Sequence, residues 1–186
     1  MIISKTPYRI SFFGGGSDYP SWYKEYGGSV LSTTIDKYIY ISCRKLPPFF
    51  KHKYRIVWSK IETVNNIKQI QHKAVRAMLQ NYKIKNGLEI HYDGDLPARS
   101  GMGSSSVFVV GLMNLINCFK GKKINKRDLA SKSIFFEQKI LDEVVGSQDQ
   151  IAATYGGFNK INFYKNNTFK LTEFSIKNNN LQKLNK

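Results

Sequence analysis

The sequence is short of acidic residues, nearly free of cysteine and without a long apolar run, and each shortage removes a class of protein. Cys43 and Cys118 stand alone with no metal-ligand spacing, which excludes a disulfide framework and a zinc module. Both read as reduced core residues of a cytoplasmic protein. No stretch approaches the roughly 18 apolar residues of a membrane helix. The opening Met1-Ile2-Ile3-Ser4-Lys5 lacks the basic-then-apolar order of a secretory signal. Against 29 lysines and arginines stand only 13 acidic residues, a formal charge of +16. Such a field attracts phosphate-bearing anions. Yet the lysines are scattered, and no basic arm, RNA-recognition aromatic signature or zinc-finger spacing accompanies them. The expectation is a protein that gathers small anions, with neither nucleic acid nor membrane as partner.

What is present suits one folded domain, since 41% of residues are hydrophobic and only 23% charged, a balance that supports a core. Alternation predicts strands over 2–13, 29–34, 35–42, 54–58, 88–92, 158–164 and 169–174. A helical period predicts helices over 67–82, 107–119, 126–141 with Asn125 as cap, and 148–154. The 107–119 segment is apolar nearly all round, as a helix buried under a sheet would be. No internal repeat is visible. Residues 1–175 are expected to form the domain, and 176–186 a polar tail or linker stub.

Between the fifth strand and the buried helix runs Pro97-Ala98-Arg99-Ser100-Gly101-Met102-Gly103-Ser104-Ser105-Ser106. Gly101 and Gly103 let backbone N–H groups close around phosphate oxygens. The serines add hydroxyls, one of which can face magnesium. The helix beginning near Ser105 turns its free amides toward an anion. The Gly-Lys-Ser/Thr ending of a Walker loop is absent. Taken alone, the pattern serves a Ser-capped helix after a flexible loop equally well.

Two further segments decide between those readings. Thr6-Pro7-Tyr8-Arg9-Ile10-Ser11-Phe12-Phe13-Gly14-Gly15-Gly16-Ser17-Asp18-Tyr19 lies upstream, and Val145-Gly146-Ser147-Gln148-Asp149-Gln150, followed by Ala152-Ala153 and Tyr155-Gly156-Gly157, lies downstream. In this order the three segments resemble the GHMP kinases, the family named for galactokinase, homoserine kinase, mevalonate kinase and phosphomevalonate kinase. The Gly-Gly-Gly-Ser-Asp-Tyr-Pro turn most resembles its sugar kinases acting on D-glycero-D-manno-heptose phosphate, which supply activated heptose for bacterial surface polysaccharide.

The resemblance implies an α+β, two-layer β-α-β fold like that of ribosomal proteins, and ATP with Mg²⁺. It implies that Asp149 is the general base and that Arg9 steadies the transferring phosphoryl group. Pro97, Ser100, Gly101, Met102, Gly103, Ser104, Ser105 and Ser106 would bind the nucleotide. Gly15, Gly16, Ser17, Asp18 and Tyr19 would bind the acceptor, a sugar phosphate reacting at its anomeric hydroxyl. Ser104 and Glu137 would hold the metal. On their own, Asp149 reads as a helix cap, Asp18 as a turn-initiating residue, Glu137 as a partner for Lys132 or Lys139, and Arg9 as a strand-edge ion pair.

Galactokinase-type members carry Glu and His where Gly15 and Gly16 stand, so a larger or phosphorylated sugar is favoured over galactose. Lys5, Arg9 and Arg99 are the candidates to hold an acceptor phosphate. Nothing after Gly157 resembles the family's second glycine-rich stretch. The expectation is therefore an N-terminal portion with the C-terminal domain absent, either an active piece or a remnant that binds nucleotide only. An uncovered face would favour a homo-oligomer.

Overall fold

The alternation of the opening residues and the β-branched stretch after Gly28 build the two longest strands, β1 (Ile2–Phe13) and β2 (Gly28–Lys45). They pair antiparallel from Ile2 opposite Cys43 to Phe13 opposite Leu31. This computed structural model describes residues 1–97 and 100–175, so the expected tail and Arg99 lie outside the described residues. β2 is one strand where the alternation reads as two. The break in pattern is a bulge, not an end: Pro7 faces Tyr38 and Arg9 faces Thr34, leaving Ile35, Asp36 and Lys37 opposite Tyr8 alone.

Along its other edge β2 pairs with β5 (Leu88–Gly94) near one end and β6 (Phe158–Phe163) near the other. With β3 (Tyr54–Val57), β4 (Ile61–Val64) and β7 (Phe169–Glu173) these form a seven-stranded mixed sheet. Only β3 and β5 run parallel; the other pairs are antiparallel.

One face of the sheet carries Ile39, Ile41, Ile56, Leu88 and Ile90, all buried. Against it packs α3 (Ser104–Phe119), whose Val107, Val109, Leu112 and Ile116 are 0% exposed. A helix apolar on every side needs a sheet beneath and helices beside it. α2 (Lys73–Asn81), α4 (Lys126–Phe135) and α5 (Gln148–Tyr155) provide the latter. A smaller core joins Tyr23 of α1 (Pro20–Tyr26) to Val30, Ala130, Ile151, Ile161 and Phe163. The result is the expected two-layer α+β arrangement. Among the described residues, no helix is long and apolar enough to cross a membrane. On the opposite face Glu89 collects Arg44, Arg55 and His91. Burial pushes its carboxyl up, but hydrogen bonds from these three cationic or ring N–H groups prevail and leave it at about 2.

Besides β2, four elements depart from the sequence reading, and so does Cys118, which is exposed where Cys43 is buried as expected. The helix expected over 67–82 is a 3-10 turn, Ile67–Gln69, followed by α2. The cause is Glu62, whose buried carboxylate accepts the amides of Gln71 and His72 and so ends the first turn. α1 and β4 escaped the periodicity because each is one short segment. The helix expected over 126–141 is α4 continued by one π turn, Phe136–Ile140.

Leu112 sits at 0% exposure in the layer shared by helix and sheet. Leu112→Ala should therefore cost about 2–5 kcal/mol, read as a lowered urea midpoint with an unchanged m-value.

Candidate active site

The site forms where β1, the loop before α3 and the start of α5 converge. Opposite the bulge in β2 the burial alternation of β1 breaks, and Tyr8 and Arg9, consecutive in sequence, are both buried. Tyr8 donates its hydroxyl to the Leu96 carbonyl at 3.2 Å, which fixes the exit of β5. Arg9 donates its Nε to Asp149 Oδ1 at 2.6 Å and an Nη1 proton to the Gly101 carbonyl at 3.1 Å. One guanidinium thus ties the first turn of α5 to the glycine loop.

Gly103 caps α3 with φ of 74° and no side-chain capping bond, which leaves the first amides of a 16-residue helix free for an anion. A Cβ on Gly103 would fall 2.7 Å from Asp149 Oδ2, so the loop and the carboxylate are in direct contact. Ser100 Oγ is buried with no hydrogen-bond partner. An orphaned hydroxyl beside free amides is the mark of a loop built for phosphate oxygens, so the residues present fit a nucleotide.

Asp18 is 1% exposed. Its carboxylate accepts Gly16 N–H at 3.2 Å and Gln148 N–H at 3.1 Å, and its carbonyl accepts Ser147 N–H at 3.0 Å. Contact is so close that a Cβ on Gly146 would lie 1.9 Å from Asp18 Oδ2. Burial raises the Asp18 pKa, opposed by the amide bonds. Ser17 holds the same turn by donating to the carbonyls of Gly14 and Ser29.

Glu137 points inward from the π turn at 0% exposure. It accepts Ser106 Oγ–H at 3.0 Å and a Gln150 Nε2 proton. Ser106, rather than Ser104, hydrogen-bonds Glu137, since helical residues two apart face nearly opposite ways. Burial raises the Glu137 carboxyl to about 7 against the two hydrogen bonds, with Glu143 and Asp149 adding repulsion. Carboxylate and hydroxyl oxygens are the donors magnesium prefers, and it commonly takes one or two carboxylates and completes its shell with phosphates and water. The donor chemistry suits magnesium, with both Glu137 oxygens engaged by Ser106 and Gln150 in this structure.

An open cleft of about 620 Å³ brings together Arg9, Gly14, Gly15, Ser100, Gly101 and Met102, with Gln148 as well. Tyr19 does not join it; it opens instead on a separate groove of about 410 Å³ beside Tyr23, Phe135 and Phe163. Pro97 is exposed just outside. Sequence reasoning missed Gln148 and Gln150. Their only signal is that they flank Asp149, which marks them as neighbours without telling which way they face.

A family model described as GHMP kinases N terminal domain matches residues 65–157. The D-glycero-alpha-D-manno-heptose 7-phosphate kinase of Campylobacter jejuni is 29% identical over 192 residues, covering 95% of this chain and 55% of that protein. The galactokinase of Pyrococcus furiosus is 28% identical, covering 91% of this chain and 48% of its own length. Among solved structures, a D-glycero-D-manno-heptose 1-phosphate kinase from Bacteroides thetaiotaomicron superposes with a TM-score of 0.84 at 25% identity, covering 95% of this chain and 61% of that one. The chain spans about half the length of the curated relatives it matches.

The raised Glu137 carboxyl has a thermodynamic consequence. Between its ordinary value of 4.5 and about 7, the folded chain keeps a proton that the unfolded chain has lost. Stability from this group is complete below that window and declines as pH rises through it, by up to about 3 kcal/mol. In EDTA, Glu137→Gln should show a flatter urea midpoint between pH 5 and 7.5 than wild type. Parallel profiles would refute the assignment.

Proposed function

The chain belongs to the GHMP kinases, and from that membership we propose that it transfers the γ-phosphoryl group of ATP to a hydroxyl of a sugar phosphate in the cytoplasm. The anomeric hydroxyl of D-glycero-D-manno-heptose 7-phosphate is the proposed acceptor, a step toward nucleotide-activated heptose for surface polysaccharide. Support for the acceptor comes from the names of two relatives, both heptose phosphate kinases. Gly15 and Gly16 support it too, since neither glycine carries a side chain to fill the acceptor side.

The observation that carries the reading is the Arg9 bridge, 2.6 Å to Asp149 and 3.1 Å to the Gly101 carbonyl. A base, a cation and a phosphate loop are thereby held in one connected unit, which is what in-line phosphoryl transfer asks of a protein. Asp149 accepts the proton of the attacking hydroxyl. Arg9 keeps that carboxylate oriented and sets positive charge beside the oxygens where negative charge develops. The free amides of Gly103 to Ser106, with Ser100 Oγ, hold the terminal phosphates. Asp18 serves the acceptor side by fixing the Gly14–Tyr19 turn against Gln148. Mg²⁺, held by Glu137 with a serine of the loop, would neutralise phosphate charge.

The test is ATP consumption with D-glycero-D-manno-heptose 7-phosphate by wild type and Asp149→Asn. Loss of the base should lower kcat about 10²–10⁴-fold while leaving calorimetric binding of a non-hydrolysable ATP analogue intact. Equal turnover by the two proteins would sink Asp149 as the base. Nucleotide binding without any turnover by wild type would mark a binding-only protein.

A further inference from the structure

Gln148 is the first residue of α5, directly before Asp149, and no role in phosphate transfer accounts for its side chain. It is only 8% exposed, and it lines the same cleft as Arg9 and Ser100. Its Oε1 is buried with no hydrogen-bond partner, as is the hydroxyl of Ser100, another residue of the same lining. A native fold seldom leaves such atoms unsatisfied unless a ligand completes them. A leucine of similar size would fill the position without that penalty.

The chemistry of the lining narrows what the ligand is. Arg9 is the one cationic side chain among the described lining residues, and it is already engaged by Asp149 and the Gly101 carbonyl. What remains is neutral: the carboxamide of Gln148 and the hydroxyls of Ser11 and Ser100. Such groups both donate and accept, as hydroxyls do, and they offer no counter-charge to a carboxylate. The lining also includes the apolar side chains of Ile10, Phe12 and Phe13, at 37%, 51% and 73% exposure. An acceptor with hydroxyls and a C–H face matches both kinds of lining.

We infer that the Gln148 carboxamide binds a hydroxyl of the acceptor next to the one that reacts. This rests on the sugar-phosphate kinase reading above and assigns it a specificity residue. Gln148 lies one residue from the base, so the hydroxyl it holds orients the neighbouring one toward Asp149. For a sugar phosphorylated at its far end, the phosphate falls outside this contact.

The experiment is calorimetric titration of wild type, Gln148→Leu and Gln148→Met with D-glycero-D-manno-heptose 7-phosphate and, separately, a non-hydrolysable ATP analogue. Melting temperatures are measured alongside. Both variants should bind the sugar phosphate at least roughly tenfold more weakly, bind the nucleotide as wild type does, and melt at the same temperature or higher. A deoxy analogue lacking the contacted hydroxyl should bind wild type and variants alike. Unchanged sugar-phosphate affinity in either folded variant overturns the inference and leaves the kinase reading standing. Parallel loss of both ligands with a lowered melting temperature overturns it too, by making Gln148 merely structural. Wild type that binds nucleotide but no sugar phosphate overturns the acceptor reading itself, and the inference falls with it.

Discussion

The buried carboxylate of Asp18 accepts one amide from its own turn and one from the head of α5, segments 130 residues apart in sequence. Each such bond to a charged group contributes about 1.5–3 kcal/mol, set against the cost of holding a carboxylate at 1% exposure. Removing the side chain would leave the Gln148 amide unsatisfied and reduce the tie between the turn and the head of α5 to the Ser147 N–H bond on the Asp18 carbonyl. The direction in which Asp149 points, and hence the reach of Arg9 to the glycine loop, depends on that joint. Gly146 has no side chain because the carboxylate occupies the space.

A second constraint is electrostatic. Asp18, Glu137 and Asp149 lie close enough that Asp149 raises the pKa of the other two. Arg9 offsets part of this concentration of negative charge by pairing with Asp149. The chain as a whole is strongly basic, yet its site is locally acidic. That pattern suits the proposed kinase site, where a surrounding positive field would draw anions toward a locally acidic centre.

Much of this architecture was legible in the residues because it is local. β1, β5 and α3 declare themselves by period, and the glycine loop by its composition between a strand and an apolar helix. The parts that were not legible are decided by contacts between distant segments. Nothing in the period of residues 67–82 shows that Glu62 will claim two amides and divide the helix. Nothing around Glu137 shows that a π turn will aim it at Ser106 and Gln150. In the sequence Asp18 reads either as an acceptor-side carboxylate of the resembled family or as a turn-initiating residue. Its near-complete burial and its backbone partners could be known only once α5 was docked.

The bulge between Pro7 and Arg9 shows how this site is encoded. Because three residues of β2 stand opposite one of β1, Tyr8 and Arg9 turn to the same side, one locking the exit of β5 and the other gripping Asp149. The information lies in the count of residues between Thr34 and Tyr38 as much as in their identity. Ile35, Asp36 and Lys37 take no part in the bridge of Arg9 to Asp149 and Gly101, yet they act as a spacer of fixed length. A change of one residue there would alter the handing of the strand edge while every side chain of the site remained in the sequence.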